Sequence, residues 1–533
     1  MAQISVKNRL VLPLALMSLA FTACTKKYKP EYGLDVTQTL RVNLQSEPPS
    51  LDWSKSTDTT SSMVQMNIMD GLTEYNLNDP DLALAPALAT EWTPSENARV
   101  WTFTLRKGVK WTDGKEFTGQ DVIDGWERIL NPATASEYAY FLFDVKNARA
   151  YNGGKVKDFK EVGIRVNDQG QLVVELDSPM SYFPMMLSHH STYPIRKDVV
   201  EKFGDRWTEP ANIQTLGAYK LKIWDHDKSI VLERNDEYYG EKAKLKNVLM
   251  YMINEFSTAL NLLDAGKLDF QQELPAKELP QLMGRPGARK TKILQTYYYG
   301  LNTKKKPFDN PKVRRAFAMA VDRKQIVDLL AAGHTPLYGW IPEGMFGYED
   351  KRGVKFDAEG AAKLLDEAGF KDRTKIPRIT LAFNTNENHQ RIAENVQAQL
   401  KKNLGVEVQI ANEEWKVYLN RLKTDTPTIY RMGWLADYPD PSTFMSLMTS
   451  FSENNHTGFA SARYDQLVKA GSSEIDPEKR RQAYSEAQKI LTEDEVAVMP
   501  IYSGTRHIMT SERVANFPVT PIERYVFKGV TFK

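Results

Sequence analysis

VWTFTLRKGVKWTDGKEFTGQDVIDGWERIL, residues 100–130, is the most legible stretch of this 533-residue chain. Trp101, Phe103 and Leu105 alternate with polar residues, the period of a strand with one buried face. Lys107-Gly108 and Asp113-Gly114 mark turns. Thr118-Gly-Gln-Asp121 approximates a capping box, with Asp in place of Glu, so a helix should begin there. Val122, Ile123, Trp126, Ile129 and Leu130 then follow at helical spacing.

The same alternation of strand and helix continues outward. Gly217 to Gly240 reads as two antiparallel strands. Asn310 should cap a helix with Pro311 in its first position, and Val313, Phe317 and Val321 share a face. Another helix is capped by Asp357 and stopped by Gly369. A third starts at Asp476 and Pro477 and leads into VAVMPIY, residues 496–502, read as a short buried strand. TIYRMGWLAD, residues 428–437, reads as a buried strand that ends on the carboxylate Asp437. The class is α/β with several sheets. No internal repeat or low-complexity linker marks a domain boundary.

Composition is that of a globular chain long enough for more than one core: 41% hydrophobic and 26% charged. Aromatic residues, at 11%, supply amphipathic contact surface for cores and clefts alike. The N-terminus stands apart. Lys7 and Arg9 precede an apolar run, Leu10 to Phe21, of signal-peptide length. Cys24, the only cysteine, follows at once, and a polar stretch after it suits a tether. FTAC resembles the bacterial lipobox, with Phe21 where Leu is usual, so lipidation of Cys24 is expected. Removing residues 1–23 takes Lys7 and Arg9 away and brings the formal net charge from +2 to zero. A near-neutral body has no global field for nucleic acid.

Seven histidines are scattered, with no H-E-x-x-H, G-x-S-x-G, phosphate loop or G-x-G-x-x-G. His189 and His190 would point to opposite faces of a regular strand. Asp440, directly before Pro441, suits a turn better than an acid pair with Asp437. An enzyme is not expected, nor a metal or cofactor.

The ordered blocks WTFTLRKGVKWTDGKEFTGQDV, VEKFGDRWTEPANIQTLGAYKL, VLERNDEYYG, PFDNPKVRRAFAMAVDR and GWLADYPDPSTF resemble the extracytoplasmic solute-binding proteins of peptide ABC importers, bacterial family 5, from about Thr39 onward. The resemblance implies a type II-like periplasmic binding fold. Two lobes joined by a hinge carry an extra inserted domain: lobe I from 36–70, 197–297 and 505–533, the insertion at 71–196, lobe II at 298–504. The short peptide would lie extended between closing lobes, hydrogen-bonded to both. Asp437 would take the ligand's ammonium, and Met432, Gly433, Trp434 and Leu435 would face its backbone. A strand glycine such as Gly433 marks a bulge or a close backbone approach. Thr57 and Thr59 would contact the ligand from the other lobe. Tyr138, Trp415, Trp434 and Tyr502 would wall the pockets, and Arg431 and His389 would meet the ligand carboxylate. A further arginine of the family aligns with Leu422, and LLAAG, residues 329–333, lacks the basic residue used for longer peptides. Length preference should therefore shift toward shorter or chemically different peptides. The resemblance further implies a monomer, anchored by lipid outside the cytoplasm and partnered by an ABC permease. The same fold could instead bind one defined ligand: a signalling or murein peptide, a sugar or a metal chelate.

Overall fold

Two strands much longer than the others, Ala288–Leu301 and Val498–Thr510, run antiparallel through the middle of the protein. The computed structural model describes residues 31–533, so Cys24 and the N-terminal leader lie outside the described residues. The long pair is the centre of an 11-stranded mixed sheet. On one side it continues through Ile429–Leu435, Ile379–Asn384 and Val408–Glu413. On the other it continues through Phe270–Gln271, Thr39–Asn43, Asn247–Tyr251, Ser229–Arg234 and Tyr219–Asp225. The register of the long pair slips between Lys292 and Thr296 and again between Tyr297 and Tyr298. Such irregularities bend a ladder and raise its twist. The expected lobe boundaries, 297/298 and 504/505, both fall within this strand pair.

VAVMPIY is thus not a short strand but the start of a 13-residue one. Apolar alternation stops at Tyr502, yet Ser503, Thr505 and His507 stay buried beyond it. Arg506 is held by ion pairs to Glu523 and Glu273 rather than by packing, which hydrophobic periodicity cannot detect.

Distant segments of the sheet are tied by one carboxylate. Asp269, fully buried, accepts from Arg41 Nε (2.9 Å), Arg513 Nη2 (2.6 Å) and the Arg41 amide (3.0 Å). Burial raises its carboxyl, but the Arg513 and Arg41 guanidiniums outweigh this and hold it below the usual carboxylate range. A depressed folded-state pKa stabilises the fold above the unfolded value, and that contribution disappears as pH falls through the folded one. Asp269→Asn is therefore expected to cost roughly 3–5 kcal/mol at neutral pH, since two guanidiniums lose their buried partner. Urea unfolding at pH 7 and pH 3 should show the deficit shrinking in acid.

The opening stretch folds as its pattern requires. Val100–Leu105 is a strand with Trp101 and Phe103 buried, in a four-stranded antiparallel sheet with Ala89–Ser95, Leu172–Glu175 and Ile164–Val166. The helix Gly119–Leu130 begins where the Thr118 amide donates to Asp121 Oδ2 (2.8 Å) and buries Val122, Trp126, Ile129 and Leu130. Asn310, Asp357 and Asp476 cap their helices. The first of these, Pro311–Met319, ends before Val321, which is buried beyond the helix rather than on its face.

Candidate functional site

The strand Ile429–Leu435 pairs with Ala288–Leu301 in unbroken register from Leu435↔Gln295 to Ile429↔Leu301. Its other edge is paired only at Ile429 and Tyr430. From Arg431 to Leu435 that second edge faces a cavity of about 150 Å³ and no strand covers it. Gly433 lies mid-ledge without a bulge. A Cβ there would meet Arg431 Nη2 at 3.3 Å and Gln295 Nε2 at 3.5 Å. An exposed strand edge of this kind is a template for an extended peptide.

Asp437 stands at one end of the ledge, its side chain 8% exposed. Its Oδ1 accepts from the Tyr138 hydroxyl (3.0 Å) and lies 3.3 Å from His189 Nε2, and its Oδ2 accepts from the Thr443 hydroxyl (2.8 Å). The Ser191 amide donates to His189 Nδ1 (3.4 Å), so the ring presents its Nε2–H to Asp437. Burial and the Asp437 charge push the Tyr138 phenol well above its ordinary range, keeping it a donor. Tyr138, Thr443 and His189 orient the carboxylate, and no Lys or Arg pairs with it among the described residues. A buried anion in that state is poised for a cation. Asp440 is different. It accepts from the Ser442 amide (2.9 Å) in a turn, as its position before Pro441 implied, and also bonds both terminal nitrogens of Arg480 (2.9 and 2.7 Å).

Arg431 marks the other end. Its guanidinium lies 4.6 Å from the Tyr297 ring centroid and donates from Nη1 to Asn384 Oδ1 (3.1 Å), while its buried Nε has no partner. Here the cavity continues into a polar one of about 130 Å³, reached by His389 and Tyr502. His389 is buried on the helix Glu387–Leu404, its Nδ1 3.4 Å from the Tyr297 hydroxyl. Burial and the neighbouring Arg431 and Arg506 hold it well below the ordinary histidine range. The cation at this end is thus Arg431, with His389 neutral beside it. Tyr502 stacks on Tyr297 (4.7 Å) and His334 (4.0 Å) and walls the polar continuation rather than the first cavity. Arg421 pairs with Glu413, and Leu422 is buried.

Tyr138, Trp415 and Trp434 wall the first cavity, and Thr57 and Thr59 face it from the opposite side. Between them Asp58 caps the helix Thr59–Ile68. The structure thus gathers every residue singled out as ligand-binding around the two joined cavities. Sequence reasoning missed His189 and His190. They do not alternate across a strand but enter a tight 3-10 turn, His190–Thr192, with ring centroids 4.0 Å apart, and both line the cavity. Arg524, from the C-terminal segment, was missed as well. Among the described residues no cluster of His, Cys, Asp and Glu could hold a metal ion, and no helix is long and apolar enough to cross a membrane.

The chain is 35% identical over 481 residues to the oligopeptide-binding protein OppA of Bacillus subtilis (strain 168), with 87% of each chain covered. It overlays Haemophilus influenzae OppA in complex with RPPGFSPFR with a TM-score of 0.88 (30% identity, 94% and 99% of the chains). The Escherichia coli murein tripeptide binding protein MppA gives 0.88 as well (31% identity, 94% and 99%), but its unliganded open form gives only 0.62 (31% identity, 94% and 98%). At equal identity the difference is one of arrangement, and the present chain is far from the open one. The model for bacterial extracellular solute-binding proteins, family 5 Middle, matches residues 83–456, and the chain belongs to that family.

Proposed function

We propose that the protein is a receptor that holds short peptides extended between two closing lobes and delivers them to an ABC importer. The carrying observation is the uncovered strand edge 431–435, with a carboxylate that no Lys or Arg pairs with at one end and a guanidinium that no carboxylate pairs with at the other, among the described residues. A peptide laid on that edge would satisfy backbone groups along its length and both terminal charges. Six residues of extended chain separate Arg431 from Asp437, an upper limit of about 20 Å, which suits no more than about six ligand residues. The lobes are the two halves of the large sheet, 36–70 with 197–297 and 505–533 against 298–504, and the slipped register of the long strands is the bend between them. Residues 71–196 form the inserted domain, which contributes Tyr138 and His189 to the amine end. The protein works as a monomer outside the cytoplasm, tethered through lipid on Cys24, and it binds rather than transforms its ligand.

A second reading keeps the site but gives it one defined ligand, and the likeness to MppA favours a murein peptide. A native mass spectrum of protein purified without denaturation decides between them. A ladder of short-peptide masses is expected; a single mass would support the second reading, and a spectrum with no peptide after exposure to a tripeptide mixture would count against both.

A further inference from the structure

Lobes that close over a ligand must make contacts that an open form lacks. This chain is far from the open arrangement of MppA, so the contacts between residues 71–196 and residues 298–504 belong to a closed one. Some of them serve the ligand site directly, as Tyr138 and His189 do in meeting Asp437. Another does not. Glu137, the residue before Tyr138, pairs with Lys423 on the helix Trp415–Thr424. Among the described residues this is the only pairing of a carboxylate with a Lys or Arg between those two parts of the chain. Neither Glu137 nor Lys423 lines the two joined cavities.

The pair is unequally buried: the Glu137 side chain is 7% exposed and that of Lys423 42%. What covers Glu137 comes from the other part of the chain. Asn454 Nδ2 donates to the Glu137 carbonyl (3.1 Å), and His456 Nε2 lies 3.7 Å from Glu137 Oε1. Burial, reinforced by Lys423, pushes His456 down to about 4, so it is neutral at pH 7 and supplies no charge. Burial raises the Glu137 carboxyl, the nearby Glu453 adds to the rise, and Lys423 opposes it. Lys423 is therefore the cation that meets this carboxylate. Parting the two bodies would return Glu137 to water. Closing them takes a carboxylate out of water, a cost that a paired cation offsets.

We propose that Lys423 and Glu137 are a positioning pair for peptide binding: without touching the ligand they hold the inserted domain against the second lobe, and so they set the affinity for every peptide by the same factor. The inference rests on the peptide-receptor reading. A ligand held only by the closed form binds more tightly as that form becomes more populated. The two members are not equivalent. Lys423→Met leaves a carboxylate to be buried unpaired at each closure. Glu137→Gln leaves a neutral amide, and a half-exposed lysine that water can solvate.

Calorimetry with Ala-Ala-Ala, Lys-Ala-Ala and Glu-Ala-Ala on the wild-type protein, Lys423→Met, Glu137→Gln and the double variant tests it. Lys423→Met is expected to weaken all three peptides by one common factor, about tenfold or more. Glu137→Gln should lose less. Adding it to Lys423→Met should bring affinity back to about the level of Glu137→Gln alone. The stoichiometry should stay near one peptide per chain in every variant, which separates weaker closure from loss of fold. Unchanged affinity in Lys423→Met would overturn the proposal and leave the receptor reading intact. So would a loss that differs among the three peptides, a double variant no better than Lys423→Met, or a loss that appears as falling stoichiometry. If the wild-type protein bound none of the three peptides, the receptor reading would fall and the proposal with it.

Discussion

Asp437→Ala is expected to weaken binding of a free-amine peptide by roughly 2–5 kcal/mol, a loss of thirtyfold to several thousandfold, because it strips the partner from a desolvated ammonium. The cavity offers no substitute nearby. Tyr138 and Thr443 offer only uncharged hydroxyl oxygens and His189 an Nε2–H, none of which replaces the negative charge of the carboxylate. Asp437→Asn should lose nearly as much, since the amide keeps the shape but not the charge. Acetylating the peptide's N-terminus should penalise the wild-type protein by a similar factor and Asp437→Ala hardly at all. Calorimetry on this double-mutant-style square checks the assignment. Equal penalties for acetylation in both proteins would mean that the amine is held elsewhere.

The second large effect belongs to Arg431. Arg431→Gln is expected to cost at least about 2 kcal/mol for peptides with a free C-terminus and to spare C-amidated ones. Its guanidinium is already positioned by the Tyr297 face and Asn384, so little entropy is lost on meeting the ligand. His389, kept neutral by burial and by Arg431 itself, gives no comparable charge. His389→Gln should therefore perturb binding less than Arg431→Gln. The reverse order would reassign the carboxylate.

How far the sequence reveals this site depends on whether a residue's role is local. Caps and periodicity are local, so Thr118, Asn310, Asp357 and Asp476 announce their helices, and Trp101 and Phe103 announce a strand. Asp437 is legible through its surrounding GWLADYPDP block, which sets both the strand and the turn that follows. His189 and Arg524 are not. Each acquires its role only where a segment far away in the chain arrives, at Asp437 for the first and at the cavity wall for the second. Read alone, paired histidines suggest alternation across a strand, and nothing in their neighbours signals the 3-10 turn that turns both toward the cavity. The long strand from Val498 fails for a related reason. Its second half is buried with charge partners from residues 273 and 523, and a hydrophobic pattern reports only what apolar burial requires.

The position of that strand has a consequence for how the protein is made. Residues 498–510 lie between Ala288–Leu301 and Phe270–Gln271, at the middle of the large sheet, and Arg513 just beyond them completes the buried charge cluster around Asp269. A ribosome releases these residues only after residues 31–497, and with them the rest of both halves of the sheet, have been synthesised. Until then the two halves of the sheet have no common central ladder, and Asp269 keeps an unfilled place. The growing chain is thus denied its final structure by topology alone. A sheet that closes late keeps its strand edges unpaired through most of synthesis, which lengthens the time in which chaperone binding and aggregation compete with folding.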